Sequence, residues 1–305
     1  MSIVKTDVPM TSELCNQIID DLLDRYPLFR SEILTTTAFG RPVRTLVIGN
    51  GERKVLYSAS HHANEWITTP VLLKFAENLA RAVTESGTLY GVKAENIMNA
   101  ATIYLVPMVD PDGVDLVTGA IPLGTLEYET ARRFSDNYPD IPFPEGWKAN
   151  VRGVDLNLQY PAAWEQAKEI KFAQGYTCPA PRDYVGTEPL TQPEARAMVR
   201  LTELCSPDRI LAYHTQGQVI YPQFKDFAPP DSMPIAWRLA AASGYDVEPT
   251  PPESAAAGYK DWFIQTYNRP GYTIEAGKGV SPLPLEDFDS IYAANLPIMV
   301  LTAVL

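Results

Sequence analysis

Cysteine and histidine are the scarce residues of this 305-residue chain, with three of each. Cys15, Cys178 and Cys205 are odd in number and far apart. That spacing excludes a disulfide framework and a cysteine metal cluster, and it suits a reducing compartment. No run of about 18 apolar residues is present, so no transmembrane helix is expected. The apolar end, YAANLPIMVLTAVL, is short and contains Pro297; it reads as a packed terminal helix. The beginning, MSIVKTDVPMTSELCNQIIDDLLDRYP, has no basic segment followed by an apolar core, so it does not read as a signal peptide. Leu14, Ile18, Ile19, Leu22 and Leu23 instead space an amphipathic helix over about residues 10–27. Basic residues are outnumbered 25 to 37, leaving a net charge of −12 and a pI near 4.8. Such a surface repels nucleic acid and anionic membranes, and neither is expected as a partner. The default expectation is a cytoplasmic enzyme.

What is present is an ordinary globular core composition, with 46% apolar and 20% charged residues. RTLVIGN (44–50) and KVLYSAS (54–60) read as neighbouring strands joined by a tight glycine-containing turn. TPVLLKFAENLARAV (69–83) has helical periodicity, with Pro70 in its first turn. ATIYLVPMV (101–109) is a buried strand ended by the turn-forming DPDG. A helix follows near PEARAMVRLTEL (193–204), then strands at RILAYHT (209–215) and GYTIEAG (271–277). The stretch from about 118 to 193, rich in proline, glycine and aromatics, reads as a set of ordered loops. Strand–helix alternation of this kind predicts an α/β fold: a mixed, largely parallel central sheet with helices on both faces, in one domain spanning 1–305.

Of the three histidines, His61 and His62 follow a predicted strand in SASHHANEW, and His214 ends another in LAYHTQG. Ligand sites in open α/β sheets form at the carboxyl ends of strands, so both places suit one shared site. Only His62 stands three residues before a glutamate, Glu65, close enough for both side chains to aim at one point. With His214 the set becomes two histidines and a carboxylate, a catalytic zinc arrangement with a fourth position open. His61 reads as a packed residue. A lone H-x-x-E recurs by chance, and the reading rises above that only because further segments agree.

HHANEW, PMVDPDG, NVRGVDLN, YHTQG and TIEAG occur in the order and approximate spacing of the zinc carboxypeptidase family, which the chain resembles over roughly residues 30–300. The resemblance implies one Zn2+ ion held by His62, Glu65 and His214. It implies that Asp155, in GVDLN, accepts a hydrogen bond from the first ligand histidine and fixes its tautomer. Glu275 matches the general base, which takes a proton from the attacking water and passes it to the leaving amine. Lys148 lies where many relatives place an arginine that polarises the scissile carbonyl, with Arg152 close by; either is a candidate oxyanion stabiliser or carboxylate binder.

The departures narrow the substrate. Relatives follow the asparagine of DLN with an arginine, and the pair clamps the substrate's terminal carboxylate. Here the pair is Asn157-Leu158, and leucine offers no bidentate fork. The mobile tyrosine of relatives falls, by spacing back from Asp261, at Glu253. Lys260, in GYKDW, occupies the place where relatives set side-chain specificity; a lysine there favours a substrate carboxylate. Tyr259 beside it joins Asn157, Arg152 and Lys260 as an expected substrate contact. The segments WKANVRGVDLNLQYP, APRDYVGTEPLTQPEARAM and GYKDWFI resemble the γ-D-glutamyl-diamino acid endopeptidase branch. That branch cuts peptidoglycan stem peptides between D-glutamate and diaminopimelate or lysine. With neither wall-binding module nor signal peptide, turnover of imported muropeptides is expected. A C-terminal exopeptidase, a zinc amidohydrolase of N-acyl amino acids and a catalytically dead peptide binder are the competing readings; the last has no use for Glu275.

Overall fold

The computed structural model describes residues 2–305. In chain order the helices are α1 (Ser12–Arg25), α2 (Thr68–Thr84), α3 (Ala94–Ala100), α4 (Pro111–Val117), α5 (Leu126–Ser135), α6 (Trp164–Ala173), α7 (Pro193–Cys205), α8 (Ser232–Ser243), α9 (Tyr259–Tyr267) and α10 (Phe288–Val304). The strands are β1 (Arg30–Thr36), β2 (Pro42–Ile48), β3 (Arg53–Ser58), β4 (Thr88–Leu89), β5 (Val92–Lys93), β6 (Ala101–Val106), β7 (Arg209–His214), β8 (Val219–Tyr221), β9 (Asp246–Val247) and β10 (Gly271–Glu275). All but the small β4–β5 hairpin form one sheet, in the order β1-β2-β6-β3-β7-β10-β8-β9. The four central strands β6, β3, β7 and β10 are parallel; β1 and β2 meet their neighbours antiparallel, β8 runs antiparallel to β10, and β9 lies parallel to β8.

Period-two alternation in the central strands builds a core on each face. Val55, Tyr57, Leu211, Tyr213, Tyr272 and Ile274 point to one side and pack with α1, α2, α8 and α10. Leu56, Ile210 and Ala212 point to the other, against Met198 and Leu201 of α7 and Trp262 and Phe263 of α9. The mixed sheet with helices on both faces is therefore as expected. Helix α1 is capped by Thr11, whose side chain accepts from Leu14 N. Helix α10 carries Pro297 buried within it and packs on α8 and α2. No helix among the described residues is long and apolar enough to cross a membrane.

Two expectations need correction. β2 and β3 are not neighbours, because β6 lies between them. The connecting loop passes over the start of β6: a Cβ on Gly49 would stand 2.2 Å from Ala101 O, and one on Gly51 2.3 Å from Ala100 C. Those glycines serve a close backbone crossing, not a hairpin. The region 118–193 also holds two helices, α5 and α6, rather than loops alone. Helix α5 buries only Ala131 and Ser135, and α6 buries Trp164, Ala167 and Lys171. Helix α5 is short and polar on average, and α6 buries a lysine among its apolar residues, so neither stands out in sequence as a helix of the core.

Candidate metal centre

The carboxyl ends of the four parallel strands lie along one edge of the sheet, and the site is built there. After β3 the chain enters a short 3-10 turn, Ala63–Glu65, which sets Glu65 one turn beyond His62. The loop is tied down on both sides: Ala63 N donates to Lys148 O (3.0 Å), and Asp110 N donates to Ser60 O (2.9 Å). His214 ends β7, and Glu275 is its partner in the parallel β7–β10 register. Paired residues on adjacent parallel strands project to the same side, so both face the same cleft.

His62 Nδ1 and His214 Nδ1 stand 3.2 Å apart. The Glu65 carboxylate lies 3.0 Å from the first and 2.9 Å from the second. Ligand atoms around one tetrahedral ion with bonds of about 2.0–2.1 Å are about 3.4 Å apart, so these nitrogens and oxygens fit a single zinc ion. No other group of three metal-binding side chains comes together among the described residues. His62 Nε2 contacts Asp155 Oδ1 at 3.1 Å; a proton there leaves Nδ1 free to ligate. Asp155 is fixed in turn by Asn157 N and Asp183 N (3.1 and 3.2 Å). Burial disfavours its charge, yet His62 and Lys148 hold its carboxyl well below the usual range. Burial likewise opposes the charge on Glu65, but Lys148 and the two histidines outweigh it and keep its carboxylate ionised.

Glu275 lines the cleft beside this group. Burial, helped by the Glu65 charge, pushes its pKa up to about 8, against Lys148 and His62. A carboxyl poised near neutral pH suits proton transfer in both directions. Lys148 Nζ lies 2.9 Å from Glu65 Oε1 at the cleft wall; burial weakens its proton affinity, but the Glu65 charge raises it, so the ammonium is retained. His61 is wholly buried, within 3.0 Å of the Tyr160 hydroxyl and stacked on Tyr259, the packed role expected of it.

The substrate-contacting residues divide. Asn157 and Lys260 line the cleft, which has a volume of about 460 Å³. Lys260, however, is committed inside the protein: it donates to Gln223 O (2.6 Å) and Thr250 Oγ1 (3.3 Å), and Asp261 Oδ1 stands 2.5 Å away in ion-pair contact. Its charge is already answered. Tyr259 is fully buried, its hydroxyl 2.7 Å from Thr202 Oγ1, and only its backbone N–H reaches Asn157 Oδ1 (3.1 Å). Arg152 is exposed and is not among the cleft residues; the turn at 150–153, closed by Gly153 N on Asn150 O, carries it outward. Leu158 packs with Trp164, Val185, Ala256 and Ala257 in a small apolar cluster. Glu253 is exposed and also lies off the cleft lining. The cleft instead contains Arg182, Tyr221 and Gln216. Of these, only Arg182 had a signal in the sequence, as a cation in a segment resembling the endopeptidase branch.

A parallel α/β sheet with a two-histidine, one-carboxylate centre at its strand ends, and a glutamate with a raised pKa beside it, defines a metal-dependent hydrolase. Residues 15–293 match the zinc carboxypeptidase family, and the chain belongs to that family of metallopeptidases. It is 42% identical over 280 residues to γ-D-glutamyl-L-diamino acid endopeptidase 1 of Lysinibacillus sphaericus, covering 92% of this chain and 68% of that one. It is 38% identical over 283 residues to the uncharacterized protein YqgT of Bacillus subtilis strain 168, covering 92% and 73%. The carboxypeptidase A of Helicoverpa armigera superposes with a TM-score of 0.74 at 19% identity, over 98% of this chain and 74% of that one.

Proposed function

We propose that this protein hydrolyses the amide bond between γ-linked D-glutamate and a diamino acid in peptidoglycan stem peptides, using one zinc ion. The observation that carries this reading is a complete His62–Glu65–His214 group with Glu275 beside it, in a chain 42% identical to a γ-D-glutamyl-L-diamino acid endopeptidase. Leu158 supports the endopeptidase over the exopeptidase reading, because a buried leucine stands where a clamp for a terminal carboxylate would need a guanidinium. The three cysteines are free, which supports a cytoplasmic place of action.

His62, Glu65 and His214 would hold the zinc ion, which when bound would supply Lewis acidity and make water a stronger nucleophile at neutral pH. The remaining work falls to the side chains. Glu275 takes the proton of the attacking water and returns it to the departing amine of the diamino acid. Lys148 offers positive charge to the oxygen that becomes negative as the carbonyl is attacked. Asp155 keeps the His62 ring in the ligating tautomer and orientation.

Mass spectrometry of the products tests the reading. The zinc-loaded protein is incubated with L-Ala-γ-D-Glu-diaminopimelate, with and without a following D-Ala. Release of L-Ala-γ-D-Glu from both is expected. Loss of D-Ala alone would make the protein an exopeptidase. Cleavage of neither would remove the stem-peptide assignment.

A further inference from the structure

Three cationic side chains line the cleft: Lys148, Arg182 and Lys260. Lys148 faces Glu65 and Lys260 faces Asp261, so each is paired with an acid inside the protein. Arg182 differs. Its Nε lies 2.5 Å from Asp183 Oδ2, but its two terminal nitrogens have no partner among the described residues, and about 42% of the side chain is open to the cleft and solvent. The guanidinium therefore presents a free pair of donors, the shape that matches a carboxylate.

The backbone around Arg182 is fixed on both sides and tied to the catalytic group. Pro181 O accepts from Lys148 N (2.8 Å) and Ala149 N (2.9 Å). Asp183 N donates to Asp155 Oδ2 (3.2 Å), on the carboxylate that holds His62. Asp183 Oδ1 is also engaged by Lys171 Nζ (2.6 Å). Asp183 thus shares its one charge between two cations. A guanidinium so anchored loses little freedom when it binds.

We infer that Arg182 binds the α-carboxylate of the γ-linked glutamyl residue and selects for it. The inference rests on the peptidase reading above and adds the substrate feature that is recognised. An α-peptide carries a carboxylate on the acyl side of its scissile bond only where an acidic side chain stands there, whereas a γ-linked glutamyl residue that is not amidated presents its free α-carboxylate at a fixed place. An endopeptidase, which cannot rely on a chain terminus, needs such a fixed charge.

The test compares kcat/KM of the wild type, Arg182→Met and Arg182→Lys on three peptides. These are L-Ala-γ-D-Glu-diaminopimelate, its isoglutamine form with the α-carboxylate amidated, and a form amidated on the diaminopimelate carboxylates. Melting temperature and zinc content confirm that the variants fold and load. Arg182→Met is expected to lose about 30-fold or more on the unmodified peptide, mainly through KM, and to lose the wild-type preference over isoglutamine. Arg182→Lys should restore part of both, as a charge without the fork. An equal loss on acid and isoglutamine peptides overturns the inference, as does a loss that follows the diaminopimelate carboxylates. Calorimetric binding of L-Ala-γ-D-Glu separates this from failure of the peptidase reading. If the wild type cuts none of the peptides, that reading fails. Arg182-dependent binding of the dipeptide would still uphold the carboxylate assignment, and binding indifferent to Arg182 would end it.

Discussion

Glu275 is the side chain on which the chemistry of this cleft turns, and its environment differs from that of Glu65 a short distance away. Glu65 is buried and Glu275 half-buried at the cleft, yet Glu65 is surrounded by Lys148, His62 and His214 and stays ionised, while burial and the Glu65 charge raise Glu275 to about 8. Two carboxyls with opposed shifts divide the roles of ligand and proton carrier. Glu275→Gln keeps the shape and removes the proton exchange. It should lower kcat by about 10²–10⁴ while zinc affinity, read by titration against a chelator, changes little. Retained turnover would remove Glu275 as the base.

The ligand loop after β3 depends on an element that touches no substrate. Helix α4 begins at the DPDG turn, where Asp110 caps Gly113 N (3.0 Å) and Asp110 N is bonded to Ser60 O. Gly113 is wedged against this loop. A Cβ there would lie 2.2 Å from Asp110 Oδ2, 2.6 Å from Ala149 O and 2.8 Å from Ala63 Cβ. Ala63 sits between the ligands His62 and Glu65, so relief of the clash must move the loop. Gly113→Ala should cost about 1–3 kcal/mol of stability and weaken zinc binding as well. Thermal melting together with the chelator titration checks both. A destabilised protein with unchanged zinc affinity would show that the loop is held independently of α4.

At the scale of the whole molecule, the acidic charge of −12 is not confined to the surface. Glu194, in the first turn of α7, is buried with neither carboxyl oxygen hydrogen-bonded among the described residues, and burial raises its pKa to about 7. The Glu194 charge adds to the burial that pushes the Asp110 carboxyl well above its usual value. Between about pH 4.5 and 7 the native Glu194 keeps a proton that the unfolded chain gives up. Stability from this group is therefore full below about 4.5, falls as pH rises to about 7, and is constant above that, for a loss on the order of 3 kcal/mol. Glu194→Gln should flatten the fall in melting temperature between pH 5 and 7. An unchanged slope would show that Glu194 ionises normally.

The fold class was legible from short-range pattern, and the metal group from motifs whose order along the chain resembles one family. Short, largely apolar runs in KVLYSAS, RILAYHT and GYTIEAG mark the central strands, and these place His62, His214 and Glu275 at strand ends. Helices α5 and α6 were not legible, since α6 buries a lysine, paired to Asp183, where the pattern needs an apolar residue. Strand order was not legible either: nothing local to residues 44–60 shows that β6 comes between β2 and β3. The same limit governs the cleft. The sequence by itself determined which residue types are available and which strands carry them, because local propensity and periodicity depend on near neighbours. Only the tertiary structure decided that Tyr259 is buried, that Arg152 points away, that Lys260 is paired and that Arg182 faces the cleft. Charge pairing and exposure depend on segments brought together from distant parts of the chain, and no window of sequence contains them.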